Sequence, residues 1–100
     1  MRNIKYDRDN FSFAYRVSAI IYNKDKTKIL LFYGNDMDYY MLPGGKVHEL
    51  EKSKDAIKRE IKEELGFDNL KFDLVGISEE IVKDKEHDIH QITLIYKCIY

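Results

Sequence analysis

The chain has 100 residues, of which 44% are hydrophobic and 35% are charged, so it is long enough for one domain with an apolar core. Its 17 basic and 18 acidic side chains give a formal net charge of −1, which excludes the strongly basic profile of proteins that bind nucleic-acid polymers through many phosphates. Any phosphate-bearing ligand must therefore be held by a few local groups.

Composition excludes two further classes of protein. The one cysteine, Cys98, cannot form an intramolecular disulfide and is typical of a reducing compartment. The N-terminal stretch has no apolar segment like that of a signal peptide, and no apolar run approaches the ~20 residues of a membrane helix. The sequence therefore predicts a cytoplasmic protein without membrane contact.

Strand patterns fill the first part of the chain. The polar residues 1–10 are predicted to form an irregular lead-in. Runs rich in aromatic and β-branched side chains predict strands over residues 11–23, 28–33 and 37–42. These strands are separated by polar residues at 24–27 and by turn-forming residues at 34–36.

A change of period marks the second part of the chain. After Gly45 the spacing of apolar residues changes from about two to about 3.6, which predicts a helix. Ser53 is a suitable N-cap, and Gly66 lies where a left-handed glycine would end the helix. Two more strands are predicted over residues 69–82 and 87–100, so the order of elements indicates one mixed α/β domain.

The chain ends while it is still in a strand pattern. Ile95, Tyr96, Ile99 and Tyr100 supply apolar surface there. Two interpretations are open: the last strand completes the fold, or part of the fold is missing. An apolar terminal strand also favours pairing with another chain, which predicts self-association such as a homodimer.

Three glutamates of the predicted helix share one arc of its surface. Glu60, Glu63 and Glu64 are related by i, i+3 and i+4 spacing, which places their Cβ atoms about 5–6 Å apart. Like charges this close are unfavourable, and no lysine on the same arc relieves them. Arg59 flanks the arc and can pair with one carboxylate, while magnesium or manganese suits the remaining oxygen ligands. The alternative is a solvated acidic face on an amphipathic helix.

The loop before the helix favours the first of these interpretations. Gly44 and Gly45 can adopt φ > 0 and let a ligand or metal approach the backbone. A glycine pair alone is more often a turn than a site. Followed by a helix with converging glutamates, it points to metal-assisted chemistry on a phosphorylated small molecule.

The same residues resemble the Nudix box at every fixed position. Gly45 is followed after five residues by Glu51, and after seven more by Arg59, Glu60 and Ile61. One intervening residue then precedes Glu63-Glu64, and another precedes Gly66-Phe67. The flanking strands also resemble this hydrolase family, so the resemblance covers residues 11–100, with the box at 45–67.

This resemblance implies a Nudix-type α/β/α sandwich with a mixed β-sheet, as a single domain over residues 1–100. The implied reaction is hydrolysis of a pyrophosphate bond in a nucleoside diphosphate linked to another moiety, with Mg²⁺ or Mn²⁺ as cofactor. The implied catalytic residues are Glu60, Glu63 and Arg59, the last as the group that positions the carboxylates. The implied metal ligands are Glu60, Glu63, Glu64 and the backbone carbonyl at Gly45. Glu51 is expected to be supportive.

Substrate contacts are predicted for Arg16, Tyr40 and Gly44. Arg16 lies in an apolar strand and can contact a phosphate, or it can be a surface-facing strand residue. Tyr40 can stack on a base, or it can be a packed strand tyrosine. Beyond the box, nothing in the spacing of Glu79, Glu80 and Glu86 selects one as a further ligand.

Length is the main departure from the family pattern. Members usually continue for some tens of residues with more strand and a second helix, so the usual C-terminal part is expected to be absent. A truncated chain, a missing C-terminal half and completion by a second protomer all fit. The alternative to a hydrolase is a non-catalytic nucleotide-binding or regulatory module, and a third interpretation is a structural domain that binds no metal.

Overall fold

A computed structural model describes residues 2–33 and 39–100. The elements of this part are β1 (Lys5–Arg8), β2 (Phe11–Tyr22), β3 (Phe32–Tyr33), β4 (Tyr40–Met41), β5 (Gly44–Lys46), α1 (Ser53–Leu65), β6 (Asp73–Val82) and β7 (Asp88–Ile99). The predicted order of strands, one helix and two more strands is confirmed, and so is the mixed α/β class.

The main sheet is mixed, with strand order β1-β2-β7-β6. Strands β2 and β7 run parallel through twelve registered pairs, from Phe11↔Asp88 to Tyr22↔Ile99, whereas β6 pairs antiparallel with β7. On its other edge β2 pairs antiparallel with β1 and then with β5. Strands β3 and β4 form a separate two-stranded sheet.

Helix α1 packs on one face of this sheet. Its buried residues Ala56, Ile57 and Ile61 share a core with alternate residues of β2, because successive strand side chains point to opposite faces. The fully buried core side chains are Val17, Ala19, Ile21, Val47, Ala56, Ile57, Ile61 and Phe72. Burying one such aliphatic side chain contributes about 1.5–3 kcal/mol. The opposite face of β2, which carries Arg16, points away from α1.

The end of the helix follows the prediction, but its beginning does not. Gly66 ends α1 with φ 74, a conformation that costs other L-residues about 1–2 kcal/mol. The predicted Ser53 N-cap is wrong: Lys52 is the N-cap residue and makes no side-chain cap hydrogen bond. Ser53 is the first helical residue, and its hydroxyl lies 2.6 Å from the Tyr96 hydroxyl. A tertiary hydrogen bond has replaced the local cap.

The structure corrects two predictions in the first third of the chain. The predicted lead-in 1–10 contains β1, which pairs with residues 11–14 of β2 across a tight turn where Asp9 has φ 46. The predicted strand 28–33 is reduced to β3 and one bridge, Tyr22↔Ile29. This strand is short because β1 and β5 already pair with most of the same edge of β2. Only the last residues of β2 remain free to pair with residues 28–33.

The remaining predicted elements are partly outside the described residues. The predicted turn at 34–36 and the first two residues of the predicted strand 37–42 lie outside them. The rest of that predicted strand contains β4, which is two residues long. Strand β6 begins at Asp73, later than the predicted residue 69. Of the three layers that the resemblance implies, the described residues supply the sheet and the helix on one face.

The last strand is central in the sheet, not at its edge. β7 lies between β2 and β6, so its backbone is paired on both sides, and the end strands of this order are β1 and β6. Ile77 and Ile81 of β6 are 67% and 62% exposed. Of the two end strands, β6 is therefore the longer and more apolar candidate for pairing with another chain. The described part of the chain contains no helix that is long and apolar enough to cross a membrane.

Candidate functional site

Arg59 makes hydrogen bonds to several groups of the candidate site. Its guanidinium donates two hydrogen bonds to Glu51, from Nε to Oε2 at 2.8 Å and from Nη2 to Oε1 at 3.0 Å. A third hydrogen bond runs from Nη1 to Glu60 Oε1 at 2.9 Å, and a fourth from Nη2 to the Lys46 carbonyl oxygen at 3.1 Å. One planar fork thus joins β5, the box loop and α1.

Both charges of the central pair are stabilised by the hydrogen bonds between the two side chains, which outweigh the opposing effect of burial. The Arg59 and Glu51 side chains are 22% and 14% exposed. Hydrogen bonds from Arg59 lower the pKa of Glu51, with a further contribution from the His48 amide, and Glu51 in turn raises the pKa of Arg59. Bidentate arginine–carboxylate pairs are among the strongest hydrogen-bonded contacts in proteins. Glu51, expected to be supportive, is the principal partner of Arg59.

The predicted glycine loop is wrong, because Gly44 and Gly45 belong to strand β5 and neither has a positive φ. The two glycines are nevertheless required, for different reasons. A Cβ at Gly44 would overlap the backbone carbonyl oxygen of Val17, so β5 can approach β2 only without a side chain. A Cβ at Gly45 would overlap the carboxylate of Glu60. Gly44 therefore permits the strand pairing, and Gly45 permits Glu60 to lie against the backbone of β5.

The three glutamates of the predicted arc are on the same side of α1 but in different environments. Glu60 is 16% exposed and held by Arg59, whereas Glu63 is 59% exposed and lies 3.5 Å from Arg59 Nη1. Burial raises the pKa of Glu64, and the negative charges of Glu60 and Glu63 raise it further. A hydrogen bond from the Gly44 backbone and the positive charge of Arg16 act in the opposite direction.

The donor set fits a hard divalent cation. Carboxylate and carbonyl oxygens are the ligands that Mg²⁺ and Mn²⁺ prefer, and the repulsion that raises the pKa of Glu64 would be relieved by a positive ion. In residues 2–33 and 39–100, however, no three His, Cys, Asp or Glu side chains converge as a ready-made metal centre. Arg59 contacts both Glu60 and Glu63, at 2.9 Å and 3.5 Å.

The predicted substrate residues fall in two places. Arg16 pairs in register with Lys46 on one side and Thr93 on the other, and its positive charge lowers the pKa of Glu64 from the opposite face of the sheet. Tyr40 is 66% exposed on the small sheet, where its ring centroid lies 5.0 Å from that of Tyr33. Within the described residues, none of the hydrogen bonds or aromatic contacts joins Tyr40 to the box.

Sequence reasoning missed Lys46 and left the glutamates of β6 undecided. Lys46 lines the same cavity as Arg16, and the only signal for it was its place directly after Gly45. Glu80 accepts hydrogen bonds from Thr93 and Gln91, both at 2.9 Å. Because Thr93 and Gln91 of the neighbouring strand β7 are on the face of the sheet opposite α1, Glu80 is not directed towards the helix.

Substituting each glycine by alanine tests the two separate roles. Gly44→Ala is expected to lower the free energy of unfolding by about 3 kcal/mol, because the new methyl meets backbone that cannot yield. Gly45→Ala is expected to cost about 1 kcal/mol, because the Glu60 carboxylate can swing away and only its hydrogen bond to Arg59 is lost. Urea unfolding measures both. Gly76→Ala is the control, since a Cβ there meets nothing within 4 Å; equal losses at Gly44 and Gly45 would contradict this interpretation.

Comparison with known proteins agrees with this geometry. The family description "NUDIX domain" matches residues 12–99. Over 50 residues the chain is 44% identical to the Saccharomyces cerevisiae mRNA-decapping enzyme subunit 2, which covers 50% of this chain and 5% of that protein. The chain therefore spans a small part of that relative.

Solved structures with the same fold include several Nudix proteins. A MutT NUDIX hydrolase from Burkholderia pseudomallei superimposes with a TM-score of 0.73 at 27% identity, covering 88% of this chain and 67% of that one. A MutT protein from Bacillus halodurans gives 0.73 at 23% identity, covering 87% and 56%. An Ap4A hydrolase from C. elegans gives 0.62 at 21% identity, covering 88% and 70%. With the match of the NUDIX domain across nearly the whole chain, these likenesses mean that the chain belongs to the Nudix family.

Proposed function

We propose that residues 1–100 form one catalytic Nudix domain that hydrolyses a pyrophosphate bond in a nucleoside diphosphate linked to another moiety. The observation that carries this proposal is the arrangement of Glu60, which is fixed by Arg59 and lies against a side-chain-free backbone at Gly45. The absence of a side chain at Gly45 lets the Glu60 carboxylate lie directly against the backbone that we propose completes the metal site.

Each residue of the site has a distinct role in this proposal. The residues that hold Mg²⁺ or Mn²⁺ are Glu60, Glu63, Glu64 and the backbone carbonyl of Gly45. The bound ion supplies Lewis-acid stabilisation of the pyrophosphate oxygens and a more acidic water. Arg59 is a positioning residue: with two of its nitrogens on Glu51, its Nη1 fixes the direction of the Glu60 carboxylate.

Glu60 is the proposed general base. Its Oε1 is occupied by Arg59, while within the described residues its Oε2 accepts no hydrogen bond and is available for a proton. The water oxygen forms a bond to phosphorus, the phosphorus–oxygen bond to the leaving group breaks, and the proton of the water passes to Glu60 Oε2. A base positioned in this way contributes about 10²–10⁴-fold to the rate.

The proposed substrates are small nucleotide derivatives, bound with help from Arg16, Tyr40 and Gly44. The neutral balance of charge argues against a nucleic-acid polymer as the general substrate. The names of an Ap4A hydrolase and an mRNA-decapping subunit among the similar proteins support a nucleotide polyphosphate linkage as the bond that is cleaved. We also propose a cytoplasmic location, in keeping with the single thiol.

The alternative function is a non-catalytic nucleotide-binding or regulatory module. The observation in its favour is that the glutamates of α1 are not gathered into a three-residue metal centre in the described residues. The two functions differ in turnover: both bind magnesium and a nucleotide, and only the hydrolase releases product.

A hydrolysis assay with magnesium tests the proposal. The substrates are ordinary and oxidised nucleoside triphosphates, ADP-ribose, sugar nucleotides and dinucleoside polyphosphates. Wild-type protein is expected to cleave at least one of them, and Glu63→Gln combined with Glu64→Gln is expected to lower the rate by about 10²-fold or more. The matched control, Asp84→Asn with Glu86→Gln, removes two charges from an exposed turn and should keep full activity. Binding of magnesium and nucleotide without turnover by the wild type would favour the module.

We further propose that two copies of the chain associate through antiparallel pairing of their β6 edges. This edge is ten residues long and carries the exposed Ile77 and Ile81, a combination that soluble monomers usually avoid. Light scattering is expected to give about twice the chain mass of 11.9 kDa, and Ile77→Lys with Ile81→Lys should return it to the monomer value. A monomeric wild type would contradict this proposal and leave the hydrolase proposal intact.

A further inference from the structure

A cavity of about 280 Å³ lies on the face of the sheet that points away from α1. It is lined by residues of β1, β2, β5 and β7 and by the turn before β7, and three of its lining residues are the cations Lys5, Arg16 and Lys46. We call it the cationic pocket. Its volume is at the lower limit for a ligand site, of the order of 300 Å³, which suits a phosphate group better than a whole nucleotide.

Strand register brings these three cations together. Lys5 pairs with Ala14 in the antiparallel β1–β2 ladder, and Arg16 pairs with Lys46 in the β2–β5 ladder. Because Ala14 and Arg16 are two residues apart, they and their partners share one face of the sheet. Two different strands thus place one lysine each beside the same stretch of β2.

Within the described residues, the three cations of the cationic pocket outnumber the carboxylates beside it, which are Asp7 in its lining and Glu80, hydrogen-bonded to the lining residue Gln91. Asp7 is its one lining carboxylate, and it already contacts Lys5 at 3.4 Å and accepts a hydrogen bond from Ser12 at 2.6 Å. Arg16 and Lys46 are directly opposite each other, an arrangement that is unfavourable for like charges in a ladder. A bound anion would convert this repulsion into attraction.

The cationic pocket and the candidate metal site share strand β5. The positive charge of Arg16 acts on Glu64 of the helix. Lys46 directly follows Gly45, and the carbonyl oxygen of Lys46 accepts a hydrogen bond from Arg59. Because the pocket and the carboxylates of α1 lie on opposite faces of the sheet, a substrate that contacts both must pass beside β5.

We propose that the cationic pocket binds a phosphate of the substrate in addition to the pyrophosphate that is cleaved, so that the substrates are nucleoside triphosphates or longer polyphosphates and not nucleoside diphosphate sugars. This inference rests on the proposed function, because it assumes that the bond broken lies at α1. It assigns a specificity role to Lys5 and Lys46, which lie outside the carboxylate cluster.

Two substrates with the same nucleoside provide the test. With magnesium, kcat/KM is measured for ATP, which carries a third phosphate, and for ADP-ribose, which carries a neutral sugar in its place. We expect wild type to favour ATP, and Lys5→Gln or Lys46→Gln to lower kcat/KM for ATP about tenfold, or about 1.4 kcal/mol, while ADP-ribose changes less than twofold. Lys71→Gln is the matched control, since it removes the same charge from a different cavity at the other end of the sheet.

A binding experiment separates failure of this inference from failure of the proposed function. Calorimetry with inorganic tripolyphosphate in EDTA, where metal ions cannot contribute, is expected to detect binding by wild type and by Lys71→Gln. Binding should be at least fivefold weaker for Lys5→Gln and Lys46→Gln. Equal effects of the lysine variants on ATP and ADP-ribose, or equal tripolyphosphate binding by all variants, would overturn the inference. If tripolyphosphate binding depends on Lys5 and Lys46 while no substrate of the full panel is hydrolysed, the pocket stands as an anion site and the hydrolase proposal fails.

Discussion

The site depends on one side chain, the guanidinium of Arg59, because it is the group that links three separate segments. It binds Glu51 of the box loop, Glu60 of the helix and the backbone of β5. Removing one partner of such a half-buried pair leaves the other charge unmatched, which costs several kcal/mol in buried examples. Lysine could not replace it, because a single ammonium lacks the planar fork that contacts Glu51 twice and Glu60 once.

Like charges repel each other within two groups of side chains in the structure, one group on each side of β5. On the helix side, Glu60 and Glu63 raise the pKa of Glu64. On the other face, Arg16 and Lys46 lie opposite each other. In the functions that we propose, the carboxylates bind a divalent cation and the cations bind a phosphate, so each ligand would relieve one of these repulsions. Binding groups fixed in advance in this way are usual at sites that stabilise charge.

The sequence predicted those features of the structure that depend on residues close together along the chain. The helix, its glycine end and the shared arc of Glu60, Glu63 and Glu64 follow from spacing and residue type alone. What depends on pairing between distant strands was not predictable: β1, the central position of β7, and the convergence of Lys5 with Lys46 all follow from register along β2. The predicted N-cap at Ser53 failed for the same reason, because its hydroxyl contacts Tyr96, 43 residues away, instead of capping its own helix.

The measurement that tests the account most directly is anomalous diffraction from a crystal of the wild-type protein soaked in Mn²⁺. The central claim is that the carboxylates organised by Arg59 form a divalent-cation site. We expect a manganese peak at about 2.0–2.3 Å from carboxylate oxygens of the helix glutamates, a typical length for bonds of such ions to oxygen, with the Arg59–Glu51 contact intact. A crystal with that contact intact and no peak at the helix, at a concentration that saturates other oxygen sites, would contradict the claim.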